Sequence, residues 1–202
     1  TVKRAERYFR KGIKILKIKL EGDIKKDIER IRILSENISS KIVLRIDANQ
    51  AYSREKAIKL VRKCEKYNIE LFEQPVKMND YKGLTKVAKS SSIPIFADES
   101  VKSVEDIYRI LEHGKIHGIN IKLTKVGGIT PALNMLSVGK EHGFEFMVGC
   151  YGETSASIYY GLQFALAFSA LVKYVDLDSH FFIDEKNSFE KRFEVKGAHL
   201  VV

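Results

Sequence analysis

The sequence predicts an α/β fold, a barrel of parallel strands wrapped by helices, and three observations carry that expectation. Short β-branched runs alternate with longer amphipathic, charged segments, as in strands joined by crossover helices. No long Pro, Gly or Ser linker interrupts the alternation. Polar residues unusual for strands recur every 24 to 28 positions, at Lys19, Asp47, Glu73, Asp98, Lys122, Cys150 and Asp176, an interval of one strand plus one helix. Each falls at or near the C-terminal end of its run, the end at which β/α barrels build their active sites. A doubly wound open sheet would not bring all the strand ends to one centre.

Taken in order, seven strands are predicted near Ile15–Leu20, Ile42–Asp47, Glu70–Glu73, Ile93–Asp98, Gly118–Leu123, Glu145–Cys150 and Lys173–Leu177. Helices are predicted near 2–11, 23–37, 53–67, 80–90, 103–113, 130–142 and 155–170. In the first strand Leu16, Ile18 and Leu20 alternate with Lys17 and Lys19, so the apolar set faces the helices and the lysines face the interior. Residues 1–180 are expected to form the catalytic barrel and 181–202 a C-terminal tail.

At 202 residues, 45% hydrophobic and 30% charged, the chain can bury one core. No apolar run approaches the length of a spanning helix, and the opening Thr-Val-Lys-Arg-Ala-Glu-Arg is charged, unlike a leader peptide. A cytoplasmic protein without membrane contact is expected. Cys64 and Cys150 lie far apart, with no Cys or His at metal-ligand spacing, and are expected to be free thiols. The net charge of +9 raises the question of nucleic acid. The basic residues, such as Lys3, Arg7, Lys56, Arg62 and Lys89, are spread over several helices with acids among them. Solvated faces account for that pattern, and no nucleic-acid partner is expected.

Asp47, Glu73 and Asp98 are three carboxylates at consecutive strand ends, beside Ile46, Phe72 and Ala97. Burying them without a cation is costly, and an all-oxygen set suits a hard ion, Mg²⁺ above all. Lys19 and Lys122 come from the flanking strands. A lysine held beside a metal and other cations has its pKa driven down and becomes a candidate base.

These residues stand in a series of motifs: Lys17-Ile18-Lys19, Arg45-Ile46-Asp47-Ala48-Asn49-Gln50, Phe72-Glu73-Gln74-Pro75, Ala97-Asp98-Glu99-Ser100 and Ile121-Lys122-Leu123. Together they resemble the successive motifs of the enolase superfamily, muconate-lactonising branch, over nearly the whole chain. The resemblance implies a TIM-like (β/α)7β barrel with one Mg²⁺ per active site held by Asp47, Glu73 and Asp98. It implies Lys19 and Lys122 on opposite faces of the substrate and Lys17 neutralising the substrate carboxylate. Sites of this superfamily use a Lys or His base with Mg²⁺ stabilising an ene-diolate, a mechanism that comes with the resemblance.

Within the branch, Asp176-Leu177-Asp178 resembles the Asp-x-Asp pair with which dipeptide epimerases receive a free α-ammonium group, and two-residue spacing puts both carboxylates on one strand face. Met147-Val148-Gly149-Cys150 and Glu153 are similar to the epimerase pattern too, whereas Tyr151 and Gly152 depart from it. Asn49 and Cys150 are expected to join Lys17, Asp176 and Asp178 around the substrate. The expected activity is Mg-dependent epimerisation of a dipeptide, with a cycloisomerase or an o-succinylbenzoate synthase-like lyase as the alternative on the same scaffold. The family barrel has eight strands and follows an α+β capping domain. The missing strand and cap are expected to precede Thr1 in a chain of roughly 350 residues, with the tail returning toward the cap. The full-length form is expected to be a homo-oligomer.

Overall fold

The structure, a computed structural model, describes residues 2–182, 193–196 and 198–201. The chain divides into two compact units, residues 1–100 with 109–117, and residues 101–108 with 118–202.

In the first unit, strands β1 (Ile15–Lys19), β2 (Val43–Asp47), β3 (Ile69–Glu73) and β4 (Ile95–Ala97) pair in parallel and in chain order. Helices α1 (Val2–Arg10), α2 (Ile24–Asn37), α3 (Arg54–Cys64) and α4 (Tyr81–Lys89) alternate with them. Three of the helices start on a side-chain cap. Asp23 accepts from the backbone N–H of Lys25 and Lys26, Ser53 from Lys56, and Asp80 from Gly83, each filling donors that the first helical turn leaves unpaired. Along α3 the buried residues are Ala57, Leu60, Val61 and Cys64, the three-and-four spacing of one helical face. Strand β2 is enclosed on both faces, with Leu44, Arg45, Ile46 and Asp47 all buried, as a strand inside a parallel sheet must be.

One buried carboxylate fixes the loop after β1. Asp27 is fully buried and accepts from the backbone N–H of Glu21 and Gly22 and from the Tyr52 hydroxyl at 2.5 Å. Gly22 has φ +89°, and a Cβ there would also stand 3.3 Å from the Ala51 carbonyl oxygen. Burial, and then the Asp27 carboxylate, push the Tyr52 phenol far above its ordinary pKa, so it remains a donor. Tyr52→Phe removes a hydrogen bond to a buried charge and should lower unfolding stability by about 2 kcal/mol in urea titration.

The second unit holds β5 (Gly118–Ile121), β6 (Glu145–Gly149) and β7 (Val172–Asp176), again parallel and in chain order. Helix α5 (Val104–Leu111) has residues in both units; α6 (Leu123–Val126), α7 (Ile129–Glu141) and α8 (Ser155–Ala167) belong to the second. Two glycines admit close approach. A Cβ at Gly139 would lie 2.7 Å from the Phe146 ring, and one at Gly149 2.6 Å from the Asn120 side-chain oxygen.

The seven expected strands and the helices near them are present, with ends within a few residues of expectation. The short α6, a 3₁₀ turn at Ser179–Phe181, and an antiparallel hairpin of β8 (Glu194–Lys196) and β9 (His199–Val201) were not expected. Three-residue strands of mixed polarity carry no period for a sequence to display. Of the expected tail 181–202, residues 183–192 lie outside those described, and so does any return toward a capping domain. Cys64 and Cys150 are free thiols as expected. Among the described residues no helix is long and apolar enough to cross a membrane.

Candidate active site

In the first unit the parallel register aligns the strand ends. Lys19 pairs with Asp47, and Asp47 pairs with Glu73, so three chemistry-bearing residues form one row across β1, β2 and β3. Their side chains share a face because each sits at the same place in the pleat. Asp98 follows directly after β4, whose Phe96 is the partner of Glu73. Lys17, two residues before Lys19, points to the same face.

The charges on that face are tightly packed. The Lys17 ammonium stands 2.7 Å from Glu73 Oε2 and 3.3 Å from Asp47 Oδ2. Lys19 donates to the same Asp47 oxygen at 2.6 Å. The two lysines differ in setting: the side chain of Lys17 is 15% exposed and that of Lys19 61%. Lys17 is therefore an enclosed partner, while Lys19 reaches in from open space. Asp47 Oδ1 accepts the backbone N–H of Asn49 at 3.0 Å. Asp47, Glu73 and Asp98 are all buried.

Burial pushes the Glu73 carboxyl well above the usual carboxylate range, to about 7; Asp47 and Asp98 add to the rise and Lys17 opposes it. Carboxylates crowded in a poorly solvated site repel one another, and a hard divalent cation relieves that repulsion. The donor set, all oxygen with no Cys or His, fits Mg²⁺ by its chemistry. Among the described residues no group of three or more His, Cys, Asp or Glu side chains is arranged to hold a metal ion. Lys17 instead bridges Asp47 and Glu73, a contact that the expected role of Lys17 toward the substrate did not include.

The backbone beyond these strand ends is unusual. Asn49, Gln50 and Gln74 have φ of 41°, 67° and 37°, and they are the non-glycine residues with positive φ among those described. Such conformations cost on the order of 1–3 kcal/mol each and cluster where the chain must turn sharply around a site.

In the second unit Lys122 follows β5, is 5% exposed, and lies 4.3 Å from the centre of the Tyr151 ring. An ammonium over an aromatic face is held by the ring quadrupole. Tyr151, one of the two residues that set this stretch apart from the expected pattern, is therefore what lies against the lysine on this side. Its backbone N–H donates to Glu153 Oε1, which also accepts from Thr124 at 2.6 Å, while Ser157 donates to Glu153 Oε2. Ser179 closes the group, donating to the Glu153 carbonyl and accepting from the Glu153 N–H, each at 2.7 Å. The sequence singled out Glu153 without showing this knot.

Cys150 donates to the Asp176 carbonyl at 3.4 Å and lies 3.8 Å from Asp178 Oδ1. Burial pushes its thiol up to about 12, with Asp178 and Asp176 adding to the shift, so it stays protonated. One expectation is corrected. Strand β7 ends at Asp176, and Asp178 caps the 3₁₀ turn with φ −97° and ψ 3°. Strand alternation therefore does not place Asp178; the turn does, and Cys150 lies between the Asp176 backbone and the Asp178 carboxylate.

The family described as enolase C-terminal domain-like matches residues 1–202. The L-Ala-D/L-Glu epimerase of Thermotoga maritima is 33% identical over 203 residues, covering 100% of this chain and 58% of that protein. A substrate-liganded complex of the L-Ala-D/L-Glu epimerase of Bacillus subtilis superposes with a TM-score of 0.92 at 35% identity, over 99% of this chain and 56% of that one. The dipeptide epimerase of Methylococcus capsulatus, complexed with Mg and the dipeptide L-Arg-D-Lys, gives 0.88 at 31%, over 99% and 56%. The chain thus spans just over half the length of these relatives.

Proposed function

The chain belongs to the enolase C-terminal domain-like family, and on that premise we propose that the protein containing it is a Mg-dependent dipeptide epimerase. The observation that carries the reading is the row of Lys19, Asp47 and Glu73 in register at three strand ends, with Asp98 buried after the fourth. Relatives named as dipeptide epimerases, one of them holding Mg and a dipeptide, support it.

In this reading Asp47, Glu73 and Asp98 hold one Mg²⁺, which when bound supplies positive charge beside the substrate carboxylate and so makes the neighbouring proton removable. Lys19 takes the α-proton from one face and Lys122 returns a different one to the other, inverting the centre. Lys17, already paired with two carboxylates, adds positive charge where the substrate carboxylate enters. Asn49, whose N–H fixes Asp47, and Cys150, a protonated thiol, border the substrate. Asp176 and Asp178 receive the α-ammonium group and so set the length of the ligand from its two charged ends. Free thiols at Cys64 and Cys150 accord with a cytoplasmic setting.

Incubating the intact protein with a dipeptide library in D₂O should give dipeptides that gain one deuterium at the inverted α-carbon, read by mass spectrometry and chiral separation. A library left unlabelled, with turnover of an amine-free carboxylate, would move the assignment to a cycloisomerase or an o-succinylbenzoate synthase-like lyase. N-acetylation of a good substrate, or Asp178→Asn, should lower kcat/KM at least about tenfold, the scale of one lost charged contact. Equal turnover of free and acetylated dipeptides would remove Asp176 and Asp178 from the site.

A further inference from the structure

We infer that Gln74 is the positioning residue that holds the three site carboxylates in register, by tying together the loops after β2, β3 and β4. The inference rests on the proposed metal role of Asp47, Glu73 and Asp98. Gln74 follows Glu73 directly, is fully buried, and turns with φ 37°. That turn sends neighbouring side chains in different directions, and the Gln74 amide ends up against the β4 loop.

All four hydrogen-bonding positions of this amide are used. Oε1 accepts from the backbone N–H of Asp98 at 2.9 Å and of Ser100 at 3.1 Å. Nε2 donates to Ser100 Oγ at 2.7 Å and to the Val76 carbonyl at 2.9 Å. A primary amide has two donor hydrogens and one oxygen with two lone pairs, so the count is saturated. Neither a carboxylate nor an apolar side chain of the same length could repeat it. The Asp98 backbone is thereby bonded to the residue next to Glu73.

The same residue reaches the loop after β2. Its carbonyl accepts the Gln50 N–H at 2.8 Å, beside the bond from Ala48 N–H to the Glu73 carbonyl at 3.0 Å. The tie is closed by Met78, whose N–H donates to Gln50 Oε1 at 2.9 Å and whose carbonyl accepts from Ser100 Oγ at 2.8 Å. Gln50, Gln74, Met78 and Ser100 form a ring of hydrogen bonds in the loops that follow Asp47, Glu73 and Asp98. The buried carboxylates repel one another, and a saturated buried network resists the spreading that repulsion favours. Groups that orient metal ligands in this way typically change affinity by about 10- to 100-fold when removed.

The test uses the intact protein and Mn²⁺ alone, with free ion read by electron paramagnetic resonance. Wild type, Gln74→Met and Val61→Ala are compared at a temperature where thermal melts show each to be folded. Val61 is buried on α3 and makes none of the ring's hydrogen bonds, so its truncation reports destabilisation alone. Gln74→Met should weaken Mn²⁺ binding by at least about tenfold while Val61→Ala leaves it unchanged. If Gln74→Met does not fold, Ser100→Ala, which removes the two hydrogen bonds that the Ser100 hydroxyl contributes to the ring, should weaken binding about fivefold. Wild-type affinity in the folded Gln74→Met or Ser100→Ala protein overturns the inference and leaves the metal site standing. Equal weakening in Val61→Ala overturns it as well, because general loosening would then suffice. A wild type that binds no Mn²⁺ overturns the metal reading, and the role of Gln74 with it.

Discussion

Asp47→Asn, Glu73→Gln and Asp98→Asn should each abolish Mg²⁺ binding by the intact protein and lower epimerase turnover by about 10²–10³-fold or more, the scale of losing charge stabilisation at the reacting group. Three carboxylates are buried together, and Glu73 is pushed up to about 7 by burial and by its two acidic neighbours. Lys17 and Lys19 offset part of that charge, and a divalent cation held by the three carboxylates would offset more, so removing one charge removes much of the affinity for that cation. Because Asp47 and Glu73 are also the buried partners of Lys17 and Lys19, Asp47→Asn and Glu73→Gln should in addition lower stability in metal-free buffer. Calorimetry with Mg²⁺ and thermal melts with and without chelator separate the two effects. Full activity after chelation and dialysis would refute the metal assignment.

The second large effect is expected at the two lysines. Lys19→Ala and Lys122→Ala should each reduce epimerisation by about 10²–10⁴-fold, the usual contribution of a positioned general acid or base. Inversion needs a group on each face, so each variant should still exchange the α-proton of one stereoisomer with solvent deuterium while losing the other. Proton NMR of L- and D-configured substrates in D₂O reads both directions separately. Normal epimerisation by either variant would rule out the two-base assignment. The settings of the two groups differ: Lys19 is largely exposed and paired with Asp47, whereas Lys122 is buried under Tyr151. Tyr151→Ala uncovers Lys122 alone, so its effect should fall on one direction of exchange.

Much of this was legible along the chain because it is local. The strand ends at Lys19, Asp47 and Glu73 could be read from alternation and from their regular interval, since one strand plus one helix has a nearly constant length. The helices near 23–37, 53–67 and 80–90 could be read the same way, and the structure starts them on the caps Asp23, Ser53 and Asp80. The family motifs marked the same carboxylates and lysines, and the match over the whole chain bears that resemblance out.

Other features exist only once distant segments meet. Gln74 stood in a quoted motif, yet its bonds to Asp98 and Ser100 cross 24 and 26 residues. Asp27 takes the hydroxyl of Tyr52 from 25 positions away. Asp178 was placed by a strand rule that stops applying at Asp176, because the chain leaves the sheet and turns. A residue type and its period report which face of its own element it occupies. Which partner satisfies a buried polar atom depends on what the fold brings across from other elements, and no local pattern encodes that choice.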